Sequence, residues 1–187
     1  AGLSQGDRGG AGNVQAGDSG MTRISEAELD HAFAEKLSAD RDFQDFLLLG
    51  GRFVRFASSA HLLVEEQNEA RAAKHWWKHW WCRLPDGTEW ETDIFLVFEA
   101  DGQRFALHIE DKPRDGKLRF EQAAAYRRRA AFKSNDAKWL NYTDFETILL
   151  APASFLISNA EAAAQFDRTL SYEAIAEFVP LFSVTAG

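Results

Sequence analysis

The stretch "TDIFLVFEADGQRFALHIEDKP", residues 92–113, decides the fold. Asp101-Gly102 is a turn signal, with an apolar run on either side of it. Successive side chains of a strand point to opposite faces. After the turn, Phe105, Leu107 and Ile109 share one face, and His108, Glu110 and Lys112 share the other. Before it, Ile94, Leu96 and Phe98 share one face, and Asp93, Phe95 and Val97 the other. Asp93 precedes Asp101 by eight residues and Glu110 follows Gly102 by eight, so a tight hairpin makes the two carboxylates cross-strand neighbours.

Working outward, Pro85-Asp86-Gly87 is a second turn signal, and the two turns define three antiparallel strands over about 76–84, 88–99 and 103–111. In the first, the i, i+1, i+4, i+5 spacing of Trp76, Trp77, Trp80 and Trp81 equally suits a helix face. Residues 118–133 read as an Ala-rich helix, and the apolar run Ile148–Ala151, closed by Pro152, reads as a fourth strand. Upstream, Ser25 and Glu28 form a capping-box pattern ahead of Leu29, Phe33 and Leu37 at helical spacing. Ser38 is placed at the start of a second helix carrying Phe43, Phe46 and Leu47 and closed by Gly50-Gly51. A third helix is expected from Ser58 or Ser59 to about Ala73, and helix again over 158–178, burying Ala162, Phe166, Leu170 and Ile175. The expected class is α/β (α+β): helix, three strands, helix, strand, with extra helices at both ends.

At 187 residues the chain holds one domain, assigned to residues 21–187 with its core at about 58–152. Residues 1–20, rich in Gly, Ser and Ala, read as a flexible leader or remnant, with Met21 a natural start. A single cysteine, Cys82, excludes an internal disulfide and a four-cysteine zinc or iron–sulfur site, and fits a reducing cytoplasm. No apolar run suggests a membrane span. The net charge of −8 argues against a general nucleic-acid binder, yet residues 112–138 carry nine basic and three acidic residues. One basic stripe therefore sits on an acidic body.

A core has no use for Asp93, Glu110 and Lys112 on one strand face. Paired carboxylates repel unless a cation lies between them, and magnesium, with manganese as substitute, takes such oxygen ligands together with waters and a phosphate. Lys112 would then orient an attacking water or stabilise phosphate charge. The plain alternative is a salt-bridged strand end. An acid in one strand, a hairpin, then (D/E)-x-K at the end of the next resembles the PD-(D/E)xK nuclease superfamily, and the expected element order resembles its restriction-endonuclease-like core. The resemblance implies Asp93 and Glu110 as metal ligands, Lys112 as catalytic lysine and DNA as substrate. Asp93 departs from the motif in following Thr92 rather than proline.

The resemblance further implies a glutamate on the first core helix. Glu65, Glu66 and Glu69 compete, and Glu66 is chosen because it falls in the apolar arc of Leu62, Leu63, Ala70 and Ala73. In "FEQAAAYRRRAAFK", Gln122, Tyr126, Arg129 and Lys133 align on one helix face, suited to phosphate oxygens, and Gln122 and Tyr126 resemble the Q-x-x-x-Y motif of an exonuclease-like branch. His108 is expected to be structural, and His75 and His79 lack a third ligand. The Trp76–Trp81 cluster is expected to be core or a surface for a protein partner or homodimer, with base stacking as the alternative. A non-catalytic binding or scaffold subunit and an RNA-directed nuclease remain as rival functions.

Overall fold

The computed structural model describes residues 23–71 and 75–186. The leader of residues 1–20, the start at Met21 and the helix end near Ala73 lie outside them. The described residues build a mixed α+β fold. Its main sheet has the order β1 (His61–Leu62), β4 (Ile94–Ala100), β5 (Gln103–Asp111), β6 (Asp144–Ala151), β7 (Arg168–Ser171), and β2 (Trp80–Arg83) and β3 (Glu89–Thr92) form a separate two-stranded sheet.

The first described helix is α1 (Glu26–Ala39), where the Ser25 hydroxyl accepts the Glu28 N–H and the Glu28 carboxylate accepts the Ser25 N–H. Leu29, Phe33 and Leu37 are fully buried along one stripe, as the spacing requires. The second helix, α2 (Arg41–Leu49), is capped by Asp40, whose carboxylate accepts the N–H groups of Asp42 and Phe43. Ser38 instead closes α1. Asp40 wins because its carboxylate satisfies two orphan amides at once.

The helix expected from Ser58 or Ser59 forms, but starts only at Val64. A short 3₁₀ turn (Val54–Phe56) is followed by β1 (His61–Leu62), and only then by α3 (Val64–Arg71). Leu62 pairs with Phe98 on β4, a long-range contact that overrides the local helical spacing.

The three-strand meander is also redrawn. β2 (Trp80–Arg83) pairs with β3 (Glu89–Thr92), and β4 (Ile94–Ala100) pairs antiparallel with β5 (Gln103–Asp111). The strand expected over 88–99 is thus broken at Asp93, and its halves join different sheets. Asp101 and Gly102 adopt φ of 51° and 72°, the left-handed pair that a two-residue hairpin turn demands. The register set by that turn places Ile94 opposite Ile109, with Asp93 and Glu110 next beyond them.

α4 (Phe120–Lys133) crosses over to β6 (Asp144–Ala151), which runs parallel to β5. Beyond it, the single helix expected over 158–178 resolves into α5 (Ala153–Ser158), α6 (Ala160–Ala163), β7 (Arg168–Ser171) and α7 (Tyr172–Ile175). Leu170 is buried as expected, but in a parallel edge strand. A short α8 (Ser183–Ala186) is the last described element. Ile94, Leu96, Phe98, Leu107 and Ile109 pack with α1 and α2 on one side of the sheet, and Phe95, Val97 and Ala106 pack with Trp80, Trp139 and Tyr142 on the other. Among the described residues no helix is long and apolar enough to cross a membrane.

Candidate functional site

The break at Asp93 and the end of β5 meet at one end of the sheet. Glu110 is 1% exposed, and three donors converge on its carboxylate. Gln122 Nε2 donates to Oε1 at 2.6 Å, Lys112 Nζ lies 2.5 Å from the same oxygen, and the Tyr126 hydroxyl donates to Oε2. The Asp93 carboxylate accepts the backbone N–H of Asp111 at 3.0 Å, and the Asp93 N–H donates to Tyr126 Oη at 3.4 Å. Burial, then repulsion from Glu110 and from Asp30, hold the Asp93 pKa well above the usual carboxylate range.

Lys112 extends the sheet, its N–H donating to the Leu150 carbonyl at 2.9 Å, and its side chain is largely buried. Burial pulls its pKa down, but the charge and hydrogen bond of Glu110 outweigh that and leave it raised. Lys112 is therefore an ammonium ion at neutral pH.

Other acids join the group from α1, and their local sequence marks only one of them. Glu26, in the first turn, has its pKa raised by burial and, among nearby charges, feels Lys112 and Glu110. Asp30 is 3% exposed in an otherwise apolar stripe, the one sequence signal available. It faces Asp111, which points to the opposite side of β5 from Glu110 and accepts a 2.5 Å hydrogen bond from the Tyr172 hydroxyl. Among the described residues, Asp30 Oδ1 and Asp111 Oδ2 have no hydrogen-bond donor. The two carboxyls bond each other, which requires that one of them keep its proton. Burial pushes Asp111 up to about 8, and burial together with the Asp111 charge raises Asp30 well above its ordinary value.

Several expected site residues stand elsewhere. Glu66 is exposed, and its neighbour Gln67 takes the buried position of α3. Gln67 donates to the Phe95 carbonyl at 2.9 Å and accepts the Val97 N–H at 2.7 Å, so this helix presents an amide to β4 and turns its acids to solvent. The expected stripe on α4 is turned inward. Tyr126 and Arg129 are 0% and 1% exposed, and Gln122 is half-buried onto Glu110. Arg129 lies 4.0 Å over the Tyr126 ring and donates to the Glu91 carbonyl at 3.2 Å, while its Nε and Nη1 have no hydrogen-bond partner among the described residues. Lys133 is half-buried and pairs with Asp136 at 3.1 Å. The outward cations are instead Arg127 and Arg128, with Arg114, Lys117 and Arg119 in the loop after Lys112.

His108 is wholly buried, between Thr92 Oγ1 at 3.4 Å and Tyr142 Oη at 3.2 Å, and burial lowers its pKa to about 3. It is a neutral, structural imidazole. His75 packs on His31 and Trp77, and His79 pairs with Glu91 at 2.9 Å. Among the described residues no three His, Cys, Asp or Glu side chains stand in a ready metal-holding arrangement. Compared with family models, with curated proteins and with solved structures, the chain finds no match in any of the three.

Proposed function

We propose that the chain is a metal-dependent nuclease that hydrolyses phosphodiester bonds of DNA on a restriction-endonuclease-like core. One observation carries the reading: Asp93, Glu110 and Lys112 meet at one sheet end, and Gln122 and Tyr126, a turn apart on α4, both reach Glu110. The donor set is two adjacent carboxylates, which suits magnesium or manganese. Asp93 and Glu110 would hold the ion, with Glu26 in the place foreseen for Glu66. When bound, the ion supplies Lewis-acid polarisation of a phosphate oxygen and acidifies water.

The protein's own groups then have separate tasks. Lys112, held protonated, donates hydrogen bonds to the attacking water or to the charge that develops on the phosphate; it does not act as a base. Gln122 and Tyr126 orient Glu110 from behind rather than gripping DNA. Arg129, stacked on Tyr126, supplies a buried positive charge beside the acids. Phosphates would meet Arg114, Lys117 and Arg119.

A second reading has its own support. Both Glu110 oxygens are already satisfied by protein donors, as in a structural strand end of a non-catalytic binding subunit. Incubation of linear, nicked and supercoiled DNA, and of RNA, with magnesium or manganese separates the two. Cleavage that chelator, Lys112→Ala and Asp93→Ala each reduce by at least about a hundred-fold, in line with losing transition-state charge stabilisation, is expected. Preferential loss of RNA would redirect the substrate. No cleavage by the natural protein, with the Asp93→Ala protein equally or more stable, would leave the binding subunit.

A further inference from the structure

The four neighbouring tryptophans have different fates. Trp76, Trp77 and Trp80 are 8%, 1% and 1% exposed and belong to the core. Trp81 is 54% exposed. β2 alternates, so Trp80 and Cys82 enter the core while Trp81 and Arg83 face out. The core role expected of the cluster holds for three indoles, and the fourth is left to solvent on a two-stranded hairpin.

That hairpin stands against the candidate site. Trp81 lies opposite Glu91 in the β2–β3 register, and Glu91 is two residues before Asp93. The Glu91 carbonyl is bound by Arg129, which covers Tyr126, which in turn binds Glu110. One interstrand step and two residues along a strand set Trp81 roughly 10 Å from Asp93, within reach of a nucleotide next to the one being cut. Around the indole stand Glu89 and Glu91, with Arg83 ion-paired to Glu89 at 3.8 Å. Glu91 is paired to His79 at 2.9 Å, so each carboxylate here has a basic partner and the face carries no excess positive charge for phosphate. It suits the uncharged ring of a base, while the backbone would follow the basic loop after Lys112.

Resting on the nuclease reading, we infer that Trp81 is a stacking platform for an unpaired base, and that the substrate is single-stranded DNA or a duplex with a single-stranded end. A paired base inside a duplex has both faces covered and offers the indole nothing. Stacking of one base on an aromatic side chain is worth about ten-fold in affinity or more.

The test is binding in chelator, where nothing is cut, so it does not depend on catalysis. Fluorescein-labelled dT15, the same oligomer with abasic sites, and a blunt hairpin duplex are titrated into the full chain and into Trp81→Ala and Trp81→Phe proteins. The expected result is a loss of about ten-fold or more for dT15 in Trp81→Ala, retention in Trp81→Phe, and no more than about a two-fold change for the abasic and duplex probes. Equal losses for all probes, or none, would overturn the platform while leaving the nuclease reading intact. A Trp81→Ala protein that binds every probe normally but sediments as a smaller species would make this face a subunit contact instead. Failure of the natural protein to bind any probe would overturn the platform, while the nuclease reading is judged separately by the cleavage assay with magnesium or manganese.

Discussion

Glu110 is a buried carboxylate held by donors from two elements, and the phenol of Tyr126 is the donor whose removal is cleanest. Tyr126→Phe keeps the ring, its stack with Arg129 and its contact with Phe166. It deletes the bond to Glu110 Oε2 and the acceptor for the Asp93 N–H. Leaving a buried polar atom unpaired costs about 1–3 kcal/mol, and at roughly 2–4 °C per kcal/mol for a chain of this size the melting temperature should fall measurably. An unchanged melting temperature would mean that water replaces the phenol at no cost, and that Tyr126 does not hold Glu110. At this scale the sequence was most legible where geometry was local. Strand alternation and the Asp101-Gly102 turn set Asp93 beside Glu110, and two residues of strand carried Lys112 to the same face. Glu26 and Asp30 were hidden because they approach through the rotation of α1 about its own axis, which only packing determines. Glu66 failed for a related reason: its phase was counted from a helix start that lies several residues too early.

Between elements, the end of α2 is locked to β6 by a contact that tolerates no extra atom. A Cβ at Gly51 would lie 2.4 Å from Glu146 Oε2. Glu146 has no room to retreat, since it accepts the Arg52 N–H at 3.1 Å and Arg168 Nη2 at 3.2 Å, and the same Nη2 donates to the Leu47 carbonyl at 2.8 Å. Gly51→Ala should therefore destabilise by about 1–3 kcal/mol, as overpacking does, read as a lower urea midpoint with an unchanged slope. A loss under about 0.5 kcal/mol, the range of an ordinary surface change, would show that the α2–β6 junction is plastic. The same long-range contacts explain which elements escaped a sequence reading. α1 follows from capping, β4 and β5 from alternation and a turn, and α4 from an Ala-rich run without a breaker, all local signals. β1 and β7 are strands only because β4 and β6 offer them an edge, and the strand expected over 88–99 divides because Asp93 is drawn to the end of β5.

Across the whole molecule, two buried groups on opposite sides of the sheet make stability depend on pH in opposite directions. Asp111, raised from 3.8 to about 8, keeps a proton in the fold that the unfolded chain has already released. Its contribution is full below about pH 4 and is lost as pH rises toward 8. His108, lowered from 6.5 to about 3, stays neutral in the fold while the unfolded chain protonates, so its contribution is present above 6.5 and is lost as pH falls toward 3. Between about 4 and 6.5 the two slopes oppose each other. Between 6.5 and 8 only the acid side acts, where Asp111 is joined by the buried carboxyls of Asp30 and Asp93, and stability should decline by up to about 1.4 kcal/mol per pH unit for each proton released. Asp111→Asn separates the two groups. Its amide can accept from Tyr172 and donate to Asp30, so it fills the place of the shared proton at every pH. Urea unfolding from pH 5 to 8 should give a falling curve for the natural protein and a flatter one for the Asn protein, the gap opening above 6.5. Parallel curves would mean that the acid pair binding α1 to the end of β5 holds no extra proton, and that this junction is stabilised by packing alone.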